Sequence, residues 1–70
     1  MPDAIHIQVN GETRETPAGT TVANLLAQLG LHSGRVAIEY NLHILPKSQW
    51  NETQVVQGDR LEIVQFVGGG

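Results

Sequence analysis

The residues with the clearest chemical potential stand at the end of the chain, where Gly68-Gly69-Gly70 follow directly on an apolar run. Glycine makes up about 7% of average usage, so three in a row at a given end arise by chance roughly 3 times in 10,000. Without Cβ atoms such a run can enter a channel that any side chain would block. Extended, three residues reach about 10 Å. The expectation is a terminal carboxylate on Gly70, ionised at neutral pH. A carboxylate is a poor acyl donor because its leaving group is oxide. Joined to AMP as a mixed anhydride it becomes reactive, and then accepts sulfur or acylates an amine. That chemistry needs a thin handle on a rigid body.

Other candidate chemistry is weak. There is no cysteine, which excludes a disulfide framework, a thiolate zinc site and a thiol nucleophile, and fits a reducing cytoplasm. His6, His32 and His43 lack metal-ligand spacing. Glu12 and Glu15 fall on a polar segment, where solvated charge is the simpler reading than a tuned acid–base pair. Seven acidic residues against four Lys or Arg give a net charge of −3. The scattered cations Arg14, Arg35, Lys47 and Arg60 argue against nucleic acid. No basic stretch leading into an apolar run opens the chain, and no window approaches the ~18 apolar residues a membrane span needs, so neither a signal peptide nor a membrane anchor is expected.

Seventy residues make one small domain. A chain this short buries only about 60% of its unfolded surface, which leaves little room for an enclosed substrate cavity. Ile5, Ile7 and Val9 alternate with polar residues, the period of a half-buried strand. Asn10-Gly11 is a hairpin turn signal, because both residues tolerate positive φ. Glu12 to Thr16 is the returning strand, polar as an edge should be. Thr20 or Thr21 caps a helix of about ten residues whose stripe is Val22, Leu25, Leu26 and Leu29. Gly30 sits at its C′ position.

Val36, Ile38 and Tyr40 form a third strand, with a bend at Asn41. Leu42 to Leu45 is a short fourth strand stopped by Pro46. Lys47 to Trp50 reads as an irregular or 3₁₀ turn, with Trp50 as a core plug or, alternatively, an interface anchor. Gly58-Asp59 is a turn, and Arg60 to Val67 is the last strand. That strand has a phase conflict: Leu61 and Ile63 share one face, Val64 and Phe66 the other. A bulge or burial on both faces would resolve it. If instead Val64 and Phe66 are exposed, they form an apolar patch suited to a partner. The order of elements predicts an α+β two-layer sandwich.

These residues together resemble the ThiS family, the β-grasp, ubiquitin-like sulfur carriers of thiamine biosynthesis. The resemblance rests on Val9-Asn10-Gly11-Glu12, Thr20-Thr21-Val22 with Leu25-Leu26, and Val36-Ala37-Ile38-Glu39-Tyr40-Asn41. Its most specific piece is Leu45-Pro46-Lys47-Ser48-Gln49-Trp50, similar to that family's Val-Pro-Arg-x-x-Trp, followed by Gly58-Asp59-Arg60-Leu61-Glu62-Ile63 and the terminal glycines. Leu45 for valine and Lys47 for arginine are conservative departures.

The resemblance implies a β-grasp domain over residues 1–67 and a flexible glycine tail over 68–70. The implied sheet is mixed, with four to five strands, one main helix on one face, and the first and last strands parallel at its centre. It also implies no catalytic side chain and no bound cofactor. An E1-like enzyme (ThiF) would use ATP and magnesium to adenylate Gly70, and sulfur from a desulfurase would displace AMP. The thiocarboxylate would then serve thiazole synthase (ThiG). Gly69 carries over as the other half of the diglycine, and Gly68 only lengthens the reach. Val64, Phe66 and Val67 are the candidate partner-binding residues. The alternatives are a molybdopterin synthase small subunit, a ubiquitin-like modifier joined to lysine, and an inert β-grasp interaction module. The first of these usually runs longer, and the Pro46-to-Trp50 segment favours thiamine.

Overall fold

A computed structural model describes residues 3–31 and 33–66. His32 and Val67, Gly68, Gly69 and Gly70 lie outside the described residues, as do the first two.

Alternating apolar residues set the first strand, β1 (Ala4–Val9), with Ile7 and Val9 buried. Asn10 and Gly11 take positive φ (52° and 84°), and the chain returns antiparallel as β2 (Glu12–Pro17). The strand runs one residue past Thr16 into Pro17, which the edge position tolerates because no ladder donor is needed there.

The helix α1 (Val22–Gln28) is seven residues, shorter than the apolar stripe predicts. Thr21 is its N-cap, its Oγ1 accepting from the Asn24 amide at 3.1 Å. At the other end Leu31 N–H donates to the Leu26 carbonyl and Gly30 N–H to that of Ala27 (3.0 and 3.1 Å). This is a Schellman closure around Gly30 at φ +74°. The closure takes Leu29 out of the helix but leaves it packed on the core.

A 3₁₀ turn (Ser33–Arg35) leads into β3 (Val36–Tyr40), and a two-residue turn leads to β4 (His43–Ile44). The fourth strand is therefore two residues rather than the four expected. Lys47–Gln49 is a second 3₁₀ turn that carries Trp50 inward. Trp50 is 4% exposed and its Nε1 donates to the Leu45 carbonyl at 3.0 Å, so it is a core plug. The last strand, β5 (Arg60–Gln65), stops two residues short of Val67.

Sheet order is β2-β1-β5-β3-β4. β1 and β5 are parallel neighbours, and the other pairs are antiparallel. The helix covers one face, and the core is Ile7, Val9, Leu61, Ile63, Val36 and Ile38 against Val22, Leu25, Leu26, Trp50 and Val55. Among the described residues no helix is long and apolar enough to cross a membrane.

Candidate functional site

β5 delivers the chain to its terminal segment, so the surroundings of β5 define the site. The strand is regular. Leu61 and Ile63 turn to the helix, while Val64 and Phe66 are 54% and 56% exposed. This corrects both expected resolutions of the phase conflict: neither a bulge nor a second covering layer is needed. The outward apolar residues lie on the bare face of the sheet. The amide of Phe66 still donates to the Arg35 carbonyl at 2.8 Å, which fixes the backbone one residue beyond the strand.

Register assembles the rest of that face. Val64 lies opposite Ala37, Glu62 opposite Glu39, and Glu39 opposite Ile44. Ile44 is 70% exposed. Ala37, Glu39, Ile44, Glu62 and Val64 border a shallow depression of about 290 Å³. The sheet thus brings together Val64 and Phe66, which the sequence pattern singles out, and Ile44, which it does not. The signal for Ile44 was present but needed the pairing: only the β3–β4 register places it on the bare face.

Beyond Arg60 the strand is held by a polar cluster that the sequence pattern also missed. The Asp59 carboxylate is buried and accepts from the Tyr40 hydroxyl, from Asn41 Nδ2 (3.1 Å) and from the Val56 amide (2.8 Å). Burial, with the hydrogen bond and charge of Asp59 added, pushes the Tyr40 hydroxyl up to about 12. The Gly-Asp signal marked a turn, but nothing local revealed which donors would converge on it. Among the described residues no group of three His, Cys, Asp or Glu side chains could hold a metal ion. Glu12 and Glu15 are exposed on β2.

The face exposes Ile44, Val64 and Phe66, and β5 ends beside it. Val67 and the three glycines lie outside the described residues, so the geometry bears on the platform and not on the handle.

The ThiS family model matches residues 7–70. The sulfur carrier protein ThiS of Escherichia coli is 33% identical over 66 residues, covering 94% of this chain and all of that one. A thiazole synthase of Paramagnetospirillum magneticum is 52% identical over 62 residues, 89% of this chain. The chain spans about a fifth of the length of that synthase and of a second one it matches. The crystal structure of thiamine biosynthesis protein ThiS from Geobacter metallireducens superimposes with a TM-score of 0.74 at 31% identity, over 94% of this chain and 100% of that one. Its likeness and the mixed five-stranded sheet agree on a β-grasp fold.

Proposed function

This chain belongs to the ThiS family, and from that membership we propose that it is a sulfur carrier for thiamine thiazole formation, with Gly70 as the reacting residue. One observation carries the reading: the family match spans residues 7–70, the terminal glycines included.

The chemistry follows from the carboxylate. An oxygen of Gly70 attacks the α-phosphorus of ATP on an E1-like enzyme (ThiF), with magnesium balancing the phosphate charge. Pyrophosphate leaves and an acyl-adenylate remains. A persulfide sulfur supplied by a desulfurase then attacks the carbonyl carbon and AMP leaves, giving an acyl disulfide. A thiol reductant cleaves its S–S bond, leaving a disulfide behind and a thiocarboxylate on the terminus. That sulfur passes to thiazole synthase (ThiG). Two relatives named thiazole synthase carry a segment similar to this chain, which supports that destination.

In this reading the chain is a co-substrate with no catalytic side chain. Residues 1–67 are the recognised body, and Gly68, Gly69 and Gly70 form the handle. Val64, Phe66 and Val67 contribute to docking. The work takes place in the cytoplasm, where ATP and magnesium are at hand.

The test is an intact-mass measurement after incubation with the adenylating enzyme, ATP and a sulfur source. Replacement of one terminal oxygen by sulfur is the expected result. An unchanged mass with a competent enzyme would sink the proposal.

A further inference from the structure

The two hairpins of this protein are built alike except at one residue. Each has a two-residue turn that opens with asparagine in the left-handed region, Asn10 at φ 52° and Asn41 at φ 50°. In the first, Gly11 follows at φ 84°, the residue such a turn favours. In the second, Leu42 follows at φ 75°. A bulky L side chain there crowds its own carbonyl. Leu42 is 78% exposed and adds nothing to the core.

The surrounding structure holds this conformation firmly. Asn41 N–H donates to the Arg60 carbonyl at 2.8 Å, and Arg60 N–H donates back to Asn41 Oδ1 at 2.9 Å. Asn41 Nδ2 is tied to Asp59. Strain persists only where neighbours over-determine it, and it gathers at functional positions. Leu42 stands on the bare side of the sheet, bordering a hollow of about 160 Å³ with Gln8, Arg60, Glu39 and Glu62. Glu39 and Glu62 are direct cross-strand partners, an arrangement of like charges that disfavours the isolated sheet. A surface that is apolar at one point and cationic beside it would cover the exposed Leu42 side chain and offset the facing carboxylates in one event.

We propose that Leu42 is a presented anchor for the adenylating partner, filling an apolar socket whose rim carries an Arg or Lys that meets Glu39 and Glu62. The docking face then extends from Phe66 to Arg60 at the far end of β5, about 20 Å at ~3.3 Å per residue. A glycine tail offers no side chains to read, so selection of this carrier falls to the body. The inference rests on the sulfur-carrier reading for the identity of the partner.

The experiment compares wild type with Leu42→Gly, Leu42→Asn and Leu42→Met by calorimetric titration against the purified cognate adenylating enzyme. Thermal melts and intact mass after reaction are recorded alongside. Leu42→Gly and Leu42→Asn should melt no lower than wild type, since both tolerate positive φ, yet bind about tenfold or more weakly, as loss of an interface anchor does. Leu42→Met should keep most of the affinity. Glu39→Gln with Glu62→Gln should flatten the salt dependence of binding.

Wild-type affinity in the Gly and Asn variants would overturn the anchor. So would a loss seen only toward thiazole synthase, which would place the socket there. A wild type that binds but is never converted sinks the carrier reading, while the affinities still judge the anchor. A wild type that does not bind the enzyme overturns both.

Discussion

The side chain of Asn10 pairs with the backbone of Ile63 in both directions. Oδ1 accepts from the Ile63 amide at 2.7 Å, and Nδ2 donates to its carbonyl at 3.2 Å. The residue that turns the first hairpin thus also lengthens the β1–β5 pairing, standing in for one strand residue. Backbone continuity alone cannot do this, because the chain has already turned away at Asn10.

Replacing Asn10 tests that double role. Asn10→Gly keeps the turn conformation and loses both side-chain bonds, and should cost about 1–3 kcal/mol. Asn10→Ala adds the strain of positive φ and should cost more. Urea denaturation separates the two, and equal stabilities would show that only the turn matters.

Asp59→Asn is expected to destabilise by about 2 kcal/mol, because one amide oxygen replaces a carboxylate that accepts from Tyr40, Asn41 and Val56. The loss should appear in chemical denaturation and spread to the β3–β4 turn, where exchange of the Asn41 amide should quicken.

Tyr40 links stability to alkaline pH. Its hydroxyl ionises at about 12 in the folded protein against an ordinary 10.0. Between these values the unfolded chain releases a proton that the folded chain keeps. Its contribution is therefore complete below pH 10 and fades as pH rises toward 12. Tyr40→Phe should remove that part of the slope in a pH series of melting temperatures. An identical slope in the variant would count against this account.

Val64→Ser and Phe66→Ser alter exposed side chains, so stability should stay within about 0.5 kcal/mol of wild type. Under the proposed function their affinity for the adenylating enzyme should fall about tenfold or more, read by titration. Unaltered binding would remove the two residues from the docking face.

Much of the fold is legible in the sequence because it rests on local patterns. Ile7 and Val9, the Asn10-Gly11 turn, a threonine cap at 20 or 21 and the Gly30 closure each announce themselves within a few residues. What escaped depends on long-range pairing. Thr16 looks like any polar edge residue, yet it is 2% exposed and bonds to Thr20 (3.0 Å) and Gln28 (3.2 Å) under the helix. The phase of β5 read as a conflict because Val64 and Phe66 are apolar, and apolar residues suggest burial. The β3–β5 register sets Val64 opposite Ala37, and both Val64 and Phe66 are exposed. The docking face was half visible in this way, since a residue destined for a partner resembles one destined for the core. The Asp59 cluster was hidden because two of its three donors, Tyr40 and Asn41, reach it from the end of β3, far away in the chain.

The strand that leads to the terminus lies in the middle of the sheet, between β1 and β3. A pull applied to the last residues by an enzyme drawing them into its active site would run along that strand, across the rungs binding it to both flanking neighbours. Those rungs resist together instead of opening one after another like a zip. A pull on the end is thus borne by the centre of the sheet and not by its edge.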